Sequence, residues 1–92
     1  MKDKYKDESD ILKALAHPVR LQIIDLLLVG IPEEACSVNS LQKELDIPQP
    51  TISQHLQTLR SHGIIDGEKK GVQVCYKVID KRVKKILEIL KK

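Results

Sequence analysis

The positions of apolar residues predict helices along most of the chain and a β-hairpin near its end. At the start, apolar side chains at three- and four-residue spacing predict a first helix over residues 8–16. Asp7 or Ser9 is the expected N-cap, because a short polar side chain there accepts a hydrogen bond from a free backbone N–H.

Pro18 suits the first position of a second helix, which is predicted to continue to about Val29. That helix is apolar on more than one side, so it is expected at the centre of the domain. A loop over residues 30–34 and a very short strand over residues 35–38 follow. Ser37 is the expected N-cap of the third helix.

Two short helices separated by a sharp turn are predicted over residues 38–62. Pro48 marks the turn, because the residue before a proline is disfavoured in the α conformation. The helical period resumes at Thr51. Gly63 suits the C′ position that ends the fourth helix.

After the fourth helix the apolar period changes to two, which predicts a hairpin over residues 64–79 with its turn at residues 67–71. One face of the hairpin is expected on the core and its tip is basic. The alternating positions of the second strand are Val72, Val74, Tyr76 and Val78. Asp80 is then the expected N-cap of a last amphipathic helix over residues 80–91.

The predicted order is α-α-(β)-α-α-β-β-α, a mainly α fold with one small β-hairpin. A helix-turn-helix followed directly by a hairpin is a winged helix-turn-helix, and residues 1–92 are expected to form one such domain. In that fold the fourth helix enters the major groove of DNA, and the hairpin tip contacts the flanking backbone.

Composition narrows the functional classes. The chain has no Trp or Phe, so an aliphatic core is expected, and its net charge of +3 is compatible with a nucleic-acid partner. No apolar run approaches the ~20 residues that span a bilayer, and the charged N-terminus is unlike a signal peptide, so no membrane partner and a cytoplasmic location are expected. No phosphate loop, catalytic carboxylate pair or nucleophile–base arrangement is visible, so neither an enzyme nor a cofactor is expected.

Four blocks of sequence resemble the ArsR/SmtB family of bacterial repressors. They are ALAHPVRLQII at residues 14–24, SVNSL at residues 37–41, the helix-turn-helix block at residues 45–63 and the wing strand at residues 71–78. Pro48 departs from the pattern, since the family usually has Ser there. The resemblance implies a homodimer that binds an imperfectly palindromic operator, represses transcription and dissociates on a signal.

The family resemblance implies that the first and last helices, residues 8–16 and 80–91, form the dimer interface. The alternative is that their apolar stripes only close the core of one chain. The residues predicted at the interface are Ile11, Leu12, Leu15, Val83, Ile86, Leu87 and Leu90.

The predicted DNA contacts lie on the fourth helix and at the wing tip. Residues 49–62 contain no Asp or Glu, which favours a face for DNA over a solvated face or a protein-binding module such as an anti-repressor. Amides and hydroxyls bind base edges and phosphates, whereas Arg and Lys neutralise phosphates. The predicted contacts are Gln49, Thr51, Ser53, Gln54, His55, Arg60, Lys69 and Lys70. His17 and His62, at helix ends, are interpreted as structural.

The sequence leaves two kinds of chemistry open for the signal that releases the protein from DNA: metal binding and thiol oxidation. The positions where relatives bind metal hold a single thiol at Cys36 and no ligand cluster after Asp80, so no metal site is expected, and metal sensing would need non-standard ligands. Cys36 and Cys75 lie on segments that are neighbours in a winged helix, within reach of a disulfide. The hypothesis is a thiol redox switch, and the alternative is a pair of small inert apolar side chains.

Overall fold

The computed structural model describes residues 4–30 and 36–91. The fold within these ranges is a winged helix-turn-helix, as predicted. Its elements are α1 (Lys6–Leu15), α2 (Pro18–Val29), α3 (Val38–Leu45), α4 (Gln49–Ser61), β1 (Ile65–Lys70), β2 (Gln73–Val78) and α5 (Lys81–Leu90). The predicted loop at residues 30–34, apart from Gly30, and the first residue of the predicted short strand lie outside the described residues.

The core is aliphatic, as the composition predicted, and α2 lies at its centre. Ile23 and Ile24 of α2 are fully buried, and α2 contacts α1, α3, α4, β2 and α5. The other buried apolar residues come from every helix and from the base of the hairpin: Ala14, Leu15, Leu41, Ile52, Leu56, Leu59, Ile64, Ile65, Val83 and Leu87.

Side-chain hydrogen bonds cap the N-termini of α2, where the cap is His17, and of α3 and α5. The Ser37 hydroxyl accepts from the backbone N–H of Ser40 at the start of α3, and the Asp80 carboxylate accepts from the N–H groups of Arg82 and Val83 at the start of α5. Both caps confirm the predictions. The α1 cap was predicted wrongly: the helix begins at Lys6, its N-cap is Tyr5 without a side-chain hydrogen bond, and Asp7 lies in the first turn. A negative charge in the first turn stabilises the helix, because it lies near the positive end of the helix dipole.

The predicted turn of the hairpin is wrong. β1 continues through Gly67 to Lys70, and the two strands pair from Ile65–Val78 to Lys70–Gln73. A two-residue loop joins them, with φ of +64° at its first residue, Gly71, where glycine adopts the left-handed region without strain. Gly67 serves packing instead, since a Cβ there would lie 2.7 Å from Cγ1 of Val74.

Only the base of the hairpin packs on the core. Tyr76 and Val78 pack against it, whereas Val74 is partly exposed and Val72 at the tip is 99% exposed, so the predicted apolar face holds for half the strand. The predicted strand before α3 is also wrong for its described part, residues 36–38. That segment forms one hydrogen bond to the wing, from Tyr76 N–H to the Cys36 carbonyl at 2.9 Å, and then enters α3.

Candidate nucleic-acid interface

The turn between α3 and α4 is sharp because Asp46 adopts a left-handed conformation with φ of +55°. Its backbone N–H donates to the carbonyl of Gln42 at 2.8 Å, which ends α3, and Asp tolerates this region better than most residues. Pro48 is the N-cap of α4, and Pro50 lies within the first turn, where the missing N–H costs no helical bond. At the other end Gly63, with φ of +71°, follows the C-cap His62, as predicted.

The N-terminal half of α4 presents an acid-free polar surface. The helix buries Ile52, Leu56 and Leu59 against the core, so the opposite positions face outward. Four of the predicted contacts lie on or beside that surface: Gln49, Ser53 and Gln54 are exposed and Thr51 is half-buried. Gln57 is also exposed one turn further on and was missed, although its spacing of i+4 from Ser53 would have identified it.

His55 is placed differently from the other predicted contacts. Its ring is half-buried, and its centroid lies 4.5 Å from that of His17. Arg20 of α2 points its Nη1 at the Nδ1 of His55, at 3.4 Å. Burial lowers the pKa of His55 below its ordinary value, and the nearby His17 and Arg20 charges lower that pKa further. Arg20 was not among the predicted site residues, because 35 positions separate it from His55 in sequence.

The two histidines interpreted as structural both bind backbone groups. His17 is the N-cap of α2, where its Nδ1 accepts from the N–H of Val19 at 3.1 Å. Nδ1 of His62 lies 2.8 Å from the carbonyl of Thr58, in the last turn of α4.

The basic residues of the site differ in whether an acidic side chain lies within ion-pair distance. Arg60, in the last turn of α4, forms an ion pair of 3.7 Å with Asp66 of β1, which links the helix to the base of the wing. Lys69 and Lys70 are exposed beside the two-residue turn, and no acidic side chain of residues 4–30 and 36–91 lies within ion-pair distance of either. The two lysines are therefore available to an outside anion.

A groove of about 190 Å³ separates the start of α4 from the wing. Gln49 lines it from α4, Asn39 from the first turn of α3, and Val72 and Gln73 from the tip of the wing. The N-terminal end of α4 and the wing tip therefore border one continuous surface, although 22 positions separate Gln49 from Gly71 in the chain.

Cys36 and Cys75 form a disulfide, which confirms their predicted proximity. Their Cα atoms are 4.8 Å apart, and 39 positions separate them in sequence. The bond joins the residue before the N-cap of α3 to the middle of β2, next to the hydrogen bond between Tyr76 and the Cys36 carbonyl. It therefore connects the helix-turn-helix to the wing covalently beside the groove.

The residues predicted at a dimer interface divide into two groups. Leu15, Val83 and Leu87 are buried in the core of the single chain, and Ile11 and Ile86 pack against that core. Leu12 and Leu90 are 55% and 65% exposed. Two further apolar side chains on the same helices or at their ends, Tyr5 and Ile89, are as exposed and were missed. Tyr5 lies seven positions before Leu12 and Ile89 lies three positions after Ile86, which are helical spacings.

Metal-ligating side chains are dispersed over the described part of the chain. Within residues 4–30 and 36–91, no three histidine, cysteine or acidic side chains come close enough together to hold a metal ion. None of the helices in the same ranges combines the length and the apolarity that crossing a bilayer requires.

Comparison with known proteins agrees with this geometry. Residues 15–68 match a family described as a helix-turn-helix domain. An uncharacterized HTH-type transcriptional regulator of Methanocaldococcus jannaschii is 38% identical over 88 residues, which cover 96% of both chains. The biofilm growth-associated repressor of Agrobacterium fabrum is 36% identical over 98% of this chain and 74% of its own.

Solved structures of similar proteins superpose on nearly the whole chain. HlyU from Vibrio cholerae superposes with a TM-score of 0.85 and 33% identity, covering 98% of this chain and 94% of its own, and its reduced form has a TM-score of 0.84. A homodimeric winged helix-turn-helix DNA-binding domain of Mycobacterium bovis, described as a possible ArsR-family regulator, has a TM-score of 0.80 and 25% identity. That superposition covers 99% of this chain and 84% of the other.

Proposed function

This chain belongs to the ArsR/SmtB family of winged helix-turn-helix transcriptional repressors, and from that premise we propose that it binds operator DNA as a homodimer whose affinity falls when Cys36 and Cys75 are oxidised to a disulfide. The operator is an imperfect palindrome, because a two-fold dimer presents two copies of α4 to two half-sites.

The observation that supports DNA binding is the shared surface of α4 and the wing. The exposed side of α4 offers amides and hydroxyls, which reach base edges in the major groove. Lys69 and Lys70 are exposed at the end of β1, beside the two-residue turn of the wing, where they neutralise backbone phosphates. A protein-binding winged helix does not require an α4 without acids, nor wing lysines that have no acidic partner among residues 4–30 and 36–91.

The exposed apolar ends of α1 and α5 support the homodimer. Leu12 and Leu90 are exposed, whereas the other predicted interface residues pack in or against the core of the single chain, so burial of these two leucines requires a second chain. The M. bovis domain of the same fold is itself a homodimer. We assign the interface to these two residues together with Tyr5 and Ile89.

The disulfide supports a redox signal. On oxidation the two thiols lose two protons and two electrons to a two-electron acceptor such as hydrogen peroxide, which is reduced to water. The bond and the adjacent hydrogen bond from Tyr76 then fix the wing against the start of α3, so the wing loses freedom to adjust to a duplex. In a reducing compartment such a bond is transient, which suits a sensor.

Electrophoretic mobility shift on the DNA upstream of its own gene tests DNA binding, at two salt concentrations and with or without peroxide. The wild type is expected to bind tightly when reduced and weakly when oxidised, and to recover with dithiothreitol. Cys36→Ser and Cys75→Ser are expected to bind equally under both conditions. If both variants respond to peroxide as the wild type does, the switch is wrong. If no duplex is bound in dilute buffer, DNA binding is wrong.

The dimer is tested separately by light scattering on the eluting protein. Leu90→Lys is expected to give monomers, because a charge at a buried interface position is not compensated. Val72→Lys is the matched control, since it places the same side chain at an exposed apolar position on the wing. A wild-type monomer, or a dimer unaffected by Leu90→Lys, would refute the assigned interface.

A further inference from the structure

Beside the outward side of α4 lies a second polar cleft, separate from the groove at the wing. It has a volume of about 450 Å³ and is lined by Arg20, Gln54, His55, Gln57, Thr58 and Ser61. Every lining residue is polar, and no Asp or Glu is among them. Five of the six lie on α4, so the cleft borders the surface assigned to DNA.

Three nitrogen-rich side chains lie close together here: Arg20 and His55 line the cleft, and His17 packs against His55. Nη1 of Arg20 lies 3.4 Å from Nδ1 of His55, and the rings of His55 and His17 are 4.5 Å apart between centroids. Within residues 4–30 and 36–91, no carboxylate lies within 4.0 Å of a nitrogen of any of the three. A guanidinium beside two imidazoles, with no carboxylate near them in the described ranges, is suited to binding an anion.

Backbone contacts fix the positions of Arg20 and His17. Nε of Arg20 donates to the carbonyl of Ala14 at 2.6 Å, at the end of α1, which leaves the outer nitrogens of the guanidinium for another acceptor. Nδ1 of His17 accepts from Val19 N–H, so in the neutral ring the proton is on Nε2, which is a donor. A preorganised donor set loses little conformational entropy when it binds a ligand.

We infer that Arg20, His55 and His17 form a binding site for one phosphate of the DNA backbone, next to the base-reading surface of α4. This site deepens the proposed function and rests on it. The phosphate oxygen lies to one side of the Nη1–Nδ1 pair, where it accepts from the guanidinium and from the imidazole of His55. α2, which the sequence places only in the core, thereby joins the DNA interface through its first turn.

Occupation of the site couples DNA binding to a proton. In the free protein, Nδ1 of His55 faces a guanidinium donor, so the neutral imidazole accepts there, and a proton on that nitrogen would face the N–H groups of Arg20. A phosphate oxygen beside the pair reverses this preference, because it accepts from the protonated imidazole and from the guanidinium together. His55 therefore takes up a proton as the duplex binds.

The direction of the pH effect follows from the two states of His55. The pKa of His55 in the free protein is below its ordinary 6.5, through burial first and the His17 and Arg20 charges second. Phosphate raises that pKa, so affinity is greatest below the free value and falls as pH rises through the raised value. Among the described residues, the charged or titratable groups that shift the pKa of His55 are His17, at the N-cap of α2, and Arg20, in its first turn.

The test uses the full chain and a duplex of random sequence in dilute buffer, because a phosphate contact is independent of base sequence. The wild-type affinity is expected to rise as pH is lowered from 8 to 6, by at most about tenfold per pH unit for each protomer. His55→Gln is expected to flatten that dependence and to reduce the slope of log K against log salt by about 0.9 for each phosphate that the variant no longer neutralises. His62→Gln, at the C-cap of the same helix and not among the residues that line the cleft, is expected to retain both.

A second measurement does not require the variant to fold. The imidazole signals of His55 in the wild type, followed by NMR against pH, are expected to titrate at a higher pH in the presence of the duplex. If the titration of His55 is unchanged by the duplex, or if His55→Gln binds with wild-type affinity, salt slope and pH dependence, the inference is wrong while the proposed function stands. If inorganic phosphate moves the His55 titration and the duplex does not, the assignment to DNA is wrong. If the wild type binds no duplex at any pH, the proposed function itself is wrong.

Discussion

Reduction of the Cys36–Cys75 disulfide is expected to lower the stability of the fold by a measurable amount. The bond closes a loop across 39 positions of the chain, from the start of α3 to the middle of the wing. In the chain-entropy treatment, a loop of about 40 residues removes about 13 cal/mol/K from the unfolded state, which is about 4 kcal/mol at 25 °C.

This free energy corresponds to a large change in melting temperature. Unfolding entropy of about 2.1 cal/mol/K per residue gives about 190 cal/mol/K for the 92-residue chain, so about 4 kcal/mol corresponds to a shift of about 20 °C. The core of the native fold is expected to keep its contacts on reduction, since neither cysteine belongs to the buried cluster. The loss therefore comes mainly from the unfolded state.

Thermal unfolding followed by circular dichroism checks this, with and without dithiothreitol at one protein concentration. Fixed concentration matters because dissociation of a dimer also shifts the melting temperature. The Cys36→Ser/Cys75→Ser double variant is the matched control and is expected to melt with the reduced wild type in both buffers. A wild-type shift below about 5 °C, with both thiols shown to be free by alkylation, would refute the loop-entropy reasoning, in which nearly the whole cost is a property of the unfolded chain.

Three further predictions concern the core, a helix cap and the wing. Leu56→Ala is expected to lower the free energy of unfolding by about 2–5 kcal/mol in urea titration, because its buried side chain leaves a cavity, whereas the exposed Gln57→Ala is expected to change it by less than about 0.5 kcal/mol. The pKa of Asp80 is held below its ordinary 3.8 by Arg82 first and then by backbone N–H groups. The stability that Asp80 contributes is therefore present above pH 3.8 and is lost as pH falls through the lower folded-state pKa. Asp80→Asn is expected to remove that part of the acid dependence of unfolding, and an unchanged acid profile would refute the cap assignment. Lys70→Gln is expected to weaken binding to all duplexes alike and to reduce the salt slope by about 0.9 per phosphate, whereas a sequence-selective loss would indicate a base contact instead.

The order of the elements was largely predictable because each has a local signal. Pro18 at the first position of α2, Ser37 and Asp80 at N-caps and Gly63 after α4 act through their own backbone neighbourhoods, and all four lie in the structure as predicted. The hairpin turn was predicted at residues 67–71 and lies at residues 71–72, because a glycine that permits a turn and a glycine that permits close packing cannot be told apart in a sequence. Gly71 supplies a positive φ, whereas Gly67 makes room for side chains of the opposite strand.

The sequence alone determined the fold class, the aliphatic core, the polar and acid-free side of α4 and the pair of cysteines, since composition, period and caps are properties of neighbouring residues. Tertiary packing decided which half of each apolar stripe is buried within one chain, leaving Leu12 and Leu90 exposed. It also brought Arg20 to His55 and Cys36 to Cys75. These pairs lie 35 and 39 positions apart, and only the packing of α2 against α4 and of the wing against the start of α3 sets the distances between them.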